Sequence, residues 1–456
     1  MKTLLKGGSV VSGEGVRPAD VLIEDDKIIE TGEGLSCPDA QVVDVRNKLL
    51  FPGFIDAHTH FDLEVAGTVT ADDFNTGSRA ALLGGTTAVI DFATQYRGES
   101  LKDAYAHWLK KAEGKASCDY GFHMAISDWN ESTRKEIQDM IDLGITSFKL
   151  YMTYDDMMVN DKEIYQVLKR LKEVGGIVGV HCENSAIIKA LVQEYKEQGK
   201  TATAYHPLSR PAQVEAEAVN RLLRIAELAD SPIIIVHLSS KMGYEEVVRA
   251  RARGQKVYLE TCTQYLLLDE ALYSLPSPEC LKYTISPPLR KQEDRDCLWS
   301  ALENDRIQTL STDHCSFSMK QKMAGVNDFT AMPCGMPGVE DRAILLYTNG
   351  VKENKISLGQ MCRLLSENPA KLYGLFPRKG TISAGADADI VVFNPEGSGV
   401  ISAETQAYNM DYAPYEGFKT SGQIEDVYLR GKKVVDGHKV VLEHEGAYLQ
   451  RGKFSL

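Results

Sequence analysis

The sequence reads as an α/β protein, a (β/α)8 TIM-like barrel with a second, smaller β-sandwich domain built from both chain ends. Three observations carry this reading. Eight short β-branched or apolar runs recur through the middle of the chain, alternating with longer amphipathic stretches, which is the pattern of βα units on a parallel sheet. Both flanks alternate apolar and polar residues between glycine turns, the mark of short half-buried strands. At 456 residues the chain is too long for one small core and long enough for a large barrel with an accessory domain.

In chain order, residues 1 to about 50, with "SVVSGEGVRPADVLIEDDKIIETGEG", supply the first set of flanking strands, expected to pair antiparallel. The barrel runs follow: "FIDAHTH" (54–60), "TTAVIDF" (86–92), "YGFHMAI" (120–126), "TSFKLYM" (146–152), "IVGVHCE" (177–183), "PIIIVHL" (232–238), "KVYLETC" (256–262) and "IQTLSTDH" (307–314). Between them lie helical patterns such as "STRKEIQDMIDLG" and "KEIYQVLKRLKEVGG", each opening on a polar residue and closing at glycine. Residues from about 380 to 456, with "KGTISAGADADIVVF" and "IEDVYLRGKKVVDGHKVV", return to short alternating strands. Neither flank can bury a core alone. Residues 1–50 and 380–456 are therefore expected to form one β-domain beside a barrel of residues 51–379.

Composition narrows the function. With 51 Lys+Arg against 64 Asp+Glu the formal charge is −13, which disfavours nucleic acid and acidic membrane surfaces as partners. Nine scattered cysteines without a C-x-x-C pair signal neither a disulfide framework nor a thiolate zinc site, so a reducing cytoplasm is the expected home. The opening "MKTLLKGGSVVSGEG" breaks at Gly7-Gly8 before a signal-peptide core forms, and no apolar run approaches the ~20 residues of a membrane span.

The chemistry concentrates at strand ends. His58 and His60, two apart on a strand, share one face. His181 ends the fifth run, His237 the sixth and Asp313 the eighth, while Lys149 lies in the fourth. In a closed barrel all six meet at the C-terminal mouth, where barrel enzymes place their catalytic groups. Imidazole and carboxylate suit Zn²⁺ or a similar divalent ion, and six groups exceed what one catalytic zinc uses. Lys149 is a misfit beside two cations unless its amine adds CO₂ to become an anionic carbamate. Taken singly, each of these side chains has a commoner fate as a paired core residue; together they point to a metal centre. His123 and His314 are assigned no ligand role, and His107, His206, His438 and His444, outside the barrel strands, are read as surface.

The segments "GFIDAHTHFDLEVAGTVTADDFNTGSRAALLGGTTAVIDF", "TSFKLYMTY", "VGVHCENS", "IIIVHLSS", "TISPPLR", "LSTDHCSF" and "NPAKLYGLFPRKGTISAGADADIVVF" resemble, nearly end to end, the cyclic amidohydrolases of the dihydropyrimidinase and D-hydantoinase family. The resemblance implies two Zn²⁺ per subunit, with Mn²⁺ or Co²⁺ as alternatives: His58, His60 and Asp313 on one metal, His181 and His237 on the other, and N6-carboxylated Lys149 and a hydroxide bridging them. It implies catalytic roles for Asp313, as the proton carrier, and for Tyr154, whose hydroxyl donates to the oxyanion. Ser286 and Cys334 match the positions whose backbone holds the ring, although Cys334 stands where the family has asparagine. Leu63, Val65, Tyr151 and Met158 match the loops that meet the exocyclic substituent. The implied substrate is a small cyclic amide, a dihydropyrimidine or a 5-substituted hydantoin, and the implied assembly a homotetramer, with a dimer as the alternative. Dihydroorotase is a neighbouring reading, but Asp62 stands where those enzymes carry an arginine. Allantoinase is disfavoured by Tyr154 in its "SFKLYMTY" context, and a non-catalytic scaffold by retention of all six ligands.

Overall fold

A computed structural model describes residues 2–456. Eight parallel strands, Phe54–Thr59, Thr86–Thr94, Asp119–Ala125, Ser147–Tyr151, Ile177–His181, Ile233–Ile235, Val257–Cys262 and Thr309–Ser311, are each paired with the next in chain order. The ring closes through a parallel bridge between Thr59 and His314, where the His60 N–H donates to the His314 carbonyl at 2.8 Å. All eight runs read from the sequence are strands. The sixth and eighth are shorter than their apolar patterns, because the chain turns out of the sheet to form the rim.

Every residue of the second, third, fourth and fifth strands is buried, as expected where helices cover one face of a parallel sheet and the interior fills the other. The outer helices follow their sequence signals. In Asp161–Val174 the side chain of Asn160 caps the first turn, Ile164, Val167, Leu168 and Leu171 form the buried stripe, and Gly175 ends the helix at φ 78°, a left-handed conformation glycine adopts freely. Asn130 caps the preceding helix, Glu131–Asp142, in the same way.

Inside the lower barrel, Ile55, Ala57, Ala88, Ile90, Ile177, Ile234 and Val236 pack with Leu372, Tyr373 and Leu449 into one apolar cluster. The end of the chain closes this floor: Phe454 and Leu456 pack against it, and the buried Arg451 donates to Ser147 Oγ at 2.7 Å and to the Phe122 carbonyl. A floor filled with hydrocarbon leaves the polar strand ends to gather at the opposite, C-terminal mouth.

The two ends of the chain share sheets. A six-stranded sheet runs Lys432–Val435, Lys419–Leu429, Ile390–Val400, Leu49–Pro52, Ser9–Ser12, Gly15–Pro18, and a four-stranded sheet runs Lys27–Gly32, Asp20–Glu24, Lys2–Lys6, Gln41–Asp44. Leu5, Val21, Ile23, Leu50, Ile390 and Val392 form a core between them. Val391 and Phe393, on the opposite face by the period-two rule, pack into the barrel's core instead. The expectation of purely antiparallel pairing is corrected at two places: Lys2–Lys6 pairs parallel with Gln41–Asp44, and Ser9–Ser12 parallel with Leu49–Pro52. Parallel neighbours need a long crossover, and the segments that separate these strands in the chain supply it. Buried Lys379 ties the flank to the barrel floor, with its Nζ 2.8 Å from Asp119 and 3.1 Å from Asp387.

Candidate active site

The barrel brings the six expected polar groups to one mouth. His58 lies within the first strand and His60 just past its end, Lys149 within the fourth and His181 at the end of the fifth. His237 and Asp313 lie in the rim turns after the sixth and eighth strands, at φ 36° and 52°, and Tyr154 at φ 71°. Left-handed backbone at non-glycine residues is held only where the surroundings over-determine it, and here it aims three site side chains inward.

His58 Nε2 and His60 Nε2 lie 3.3 and 3.1 Å from the same atom, Asp313 Oδ1. Lys149 Nζ is 3.5 Å from His58 Nε2, and His181 Nδ1 is 3.0 Å from His237 Nε2. The two groups adjoin, with the rings of His58 and His237 centred 5.4 Å apart. His58, His60 and Asp313 by themselves converge as a metal-holding set. Burial holds His58, His181 and His237 below the ordinary histidine range, so their imidazoles are neutral with lone pairs free for a cation. Burial raises a carboxyl, but facing His58 and His60 hold Asp313 down to about 2, so it is a carboxylate. Burial draws the Lys149 amine down to about 8. Neutral imidazoles, a carboxylate and a lysine that readily loses its proton make a donor set that fits divalent metal ions.

Behind these six side chains stand residues that the sequence reading did not single out. The fully buried Glu260 accepts from His58 Nδ1 at 2.6 Å, from the His237 amide at 3.2 Å and from Ser311 Oγ at 2.9 Å. Glu183 accepts from His181 Nε2 at 2.8 Å and pairs with Arg210 Nη1 at 2.5 Å. Despite its burial, Arg210 and His181 hold Glu183 at about 2. Each carboxylate thus fixes a tautomer that turns the other ring nitrogen toward the centre. The Arg210 guanidinium also lies 5.6 Å over the ring of Tyr154. Glu260 in "VYLETC" carried a signal: an acid in a buried apolar strand needs a partner.

His314 and His123, read as non-ligands, are each held by other partners. His314 Nε2 is 3.0 Å from Asp72, and His123 bonds Ser147 Oγ and the Ala57 carbonyl at 2.6 and 2.9 Å. His206 is a correction: it is buried rather than on the surface, because its Nε2 donates to the Ile285 carbonyl at 2.7 Å beside the site.

Above the centre opens a cavity of about 1370 Å³. Leu63, Val65, Tyr151, Tyr154, Ser286 and Cys334 all line it, while Met158 does not; its neighbour Met157 takes that place. A tight turn forms here: the Tyr154 carbonyl accepts from the amides of both Met157 (3.0 Å) and Met158 (2.7 Å), and the Val159 amide returns to the Tyr151 carbonyl at 3.1 Å. Arg97 holds the turn from outside, donating to the carbonyls of Asp155 and Met158 at 3.2 and 3.1 Å.

Residues 49–434 match the model of the Amidohydrolase family. The chain is 44% identical to the D-hydantoinase of Geobacillus stearothermophilus, over 100% of this chain and 97% of that one. It is 43% identical to the D-hydantoinase of Rhizobium radiobacter, over the whole of both. The crystal structure of dihydropyrimidinase from Brevibacillus agri NCHU1002 superposes with a TM-score of 0.99 at 42% identity, over the whole of both chains. With its barrel, its flanking sheets and its His/His/Asp cluster, this chain belongs to the metal-dependent amidohydrolase family.

Proposed function

We propose that the protein hydrolyses cyclic amides, opening 5,6-dihydropyrimidines such as dihydrouracil and dihydrothymine, and 5-substituted hydantoins, to N-carbamoyl amino acids. The observation that carries this reading is the convergence of His58, His60, Lys149, His181, His237 and Asp313 beneath a mainly apolar cavity, in a chain similar throughout its length to D-hydantoinases. The reading includes two Zn²⁺ per subunit, or Mn²⁺ or Co²⁺, held by those six residues with Lys149 as a carbamate; its burial and lowered basicity favour the free amine that adds CO₂. Bound ions supply Lewis acidity for attack of water on the ring carbonyl.

The protein's own groups do the rest. Asp313, ionised and beside the attack site, takes a proton from the attacking water and delivers it to the ring nitrogen as the C–N bond breaks. The Tyr154 hydroxyl donates to the oxygen that gains charge; burial raises its pKa, so it stays protonated as a donor. Main-chain groups of Ser286 and Cys334 hold the ring amide, and Leu63, Val65, Tyr151 and Met157 form a wall for a neutral substituent. The same reading divides the chain into a barrel of 51–379 and a sandwich of 1–50 with 380–456, whose last residues, from about Tyr448, reach back onto the barrel floor, and takes the assembly to be a homotetramer, or a dimer, in the cytoplasm. A ring-opening assay on dihydrouracil and 5-substituted hydantoins, run with metal analysis, tests the function. Turnover with about two ions per chain is expected; metal-free active protein, or no ring opened, refutes it.

A further inference from the structure

Lys322 is fully buried, yet it lies outside the metal centre and plays no part in the chemistry above. It ends the short helix Met319–Lys322, and its ammonium donates to the Thr284 carbonyl at 3.1 Å, to Thr284 Oγ1 at 3.0 Å and to the Pro333 carbonyl at 3.5 Å. No carboxylate stands within ion-pair distance of it among the described residues. Burying an ammonium against neutral oxygens alone is costly, so its place calls for a structural return.

That return is the joining of two loops. Thr284 lies two residues before Ser286, and Pro333 directly precedes Cys334; these are the two segments read above as holding the ring amide. The Gly335 amide donates to the same Thr284 carbonyl at 2.9 Å. A side chain at Gly335 would meet the Cys315 carbonyl oxygen at 2.2 Å, so the second loop lies flush against the barrel rim. On the other side, His206 holds the Ile285 carbonyl. The apolar contact shared by the two loops is small: Cys280, Leu281 and Met332, with Met319 and Val326 beside them, form a cluster separate from the barrel core. With little hydrocarbon to fix their spacing, polar contacts must.

We propose that Lys322 is a positioning residue that clamps the 284–286 and 333–335 segments at the separation a ring amide requires, and so sets substrate affinity without touching substrate. The proposal rests on the assignment of Ser286 and Cys334 to the ring.

The test is Lys322→Met, near-isosteric but without donors, beside Lys322→Gln, which keeps an amide donor. Contacts made equally to bound substrate and transition state appear in KM, so Lys322→Met should raise KM for dihydrouracil or a hydantoin about tenfold, with kcat within about threefold of wild type. Metal content should stay unchanged and Lys322→Gln should fall between. Amide hydrogen exchange should quicken about tenfold at 284–286 and 333–335 while the barrel strands stay protected. A variant with a lower melting temperature but unaltered KM and unaltered exchange in these loops overturns the clamp. If Lys322→Met does not fold, Thr284→Val, which removes one acceptor, serves instead: raised KM and faster exchange at Gly335 support the clamp, and wild-type values for both overturn it. A wild-type protein that opens no cyclic amide refutes the proposed function, and the exchange data still judge the clamp.

Discussion

Glu260→Gln is the sharpest probe of how the protein holds its metal. The carboxylate is wholly buried and serves three donors, of which His58 Nδ1, at 2.6 Å, is the shortest contact. Glutamine keeps the shape. Its carbonyl can accept from His58 Nδ1 while its amide nitrogen donates to Ser311 Oγ, so neither partner is orphaned and the fold should persist. Burial lifts the Glu260 pKa to about 7, so at pH 8 and above what disappears is a negative charge that makes His58 Nε2 a stronger donor. Loss of such an outer partner weakens metal binding about 10–100-fold, or roughly 1.4–2.8 kcal/mol at 1.4 kcal/mol per decade. Because His58 adjoins His60 and Asp313, the ion of that trio should leave first. Dialysis against chelators of graded strength, with metal content and ring-opening rate measured together, should show one ion lost at about 10–100-fold weaker chelation than in wild type. Glu183→Gln should weaken the His181–His237 side instead. Wild-type metal affinity in Glu260→Gln would refute the argument that these carboxylates tune the ligands.

Lys149→Ala should lose metal and activity together, and acetate or propionate with added zinc should partly restore turnover by occupying the vacated space; full metal retention, or no response to carboxylate, argues against a carbamate ligand. Arg210→Met leaves Glu183 buried beside His181 without its cation, so stability should fall by about 3–5 kcal/mol in denaturant unfolding, and an unchanged midpoint would show the pair to be dispensable. Dihydroorotate should be opened more slowly than dihydrouracil, because Asp62 rather than an arginine follows the histidine pair and the cavity wall is mainly apolar; the reverse order of rates refutes the substrate assignment.

The six polar groups at the mouth were legible because their chemistry is incongruous with their setting. A histidine, lysine or aspartate at the end of an apolar strand is costly unless something binds it, and the barrel's C-terminal rim is where such costs are concentrated. The same reasoning, applied to acids, reaches Glu260 and Glu183, which sit in comparable runs and hold His58 and His181. Arg210, His206 and Lys322 carry no such mark. They lie outside the barrel strands, in segments whose composition suits a solvated surface, and become interior only when loops far apart in sequence close over the mouth: Arg210 meets Glu183, His206 meets Ile285, and Lys322 meets Thr284. The same holds for Met157 and Met158, where the family resemblance names one and the turn at Tyr154 presents the other. Periodicity is a local rule that expires at the last ladder hydrogen bond. In the proposed function, what recognises the ring is built beyond that point, from contacts between loops, and these interloop contacts rather than the six candidate ligands are where substrate preference should diverge among related chains.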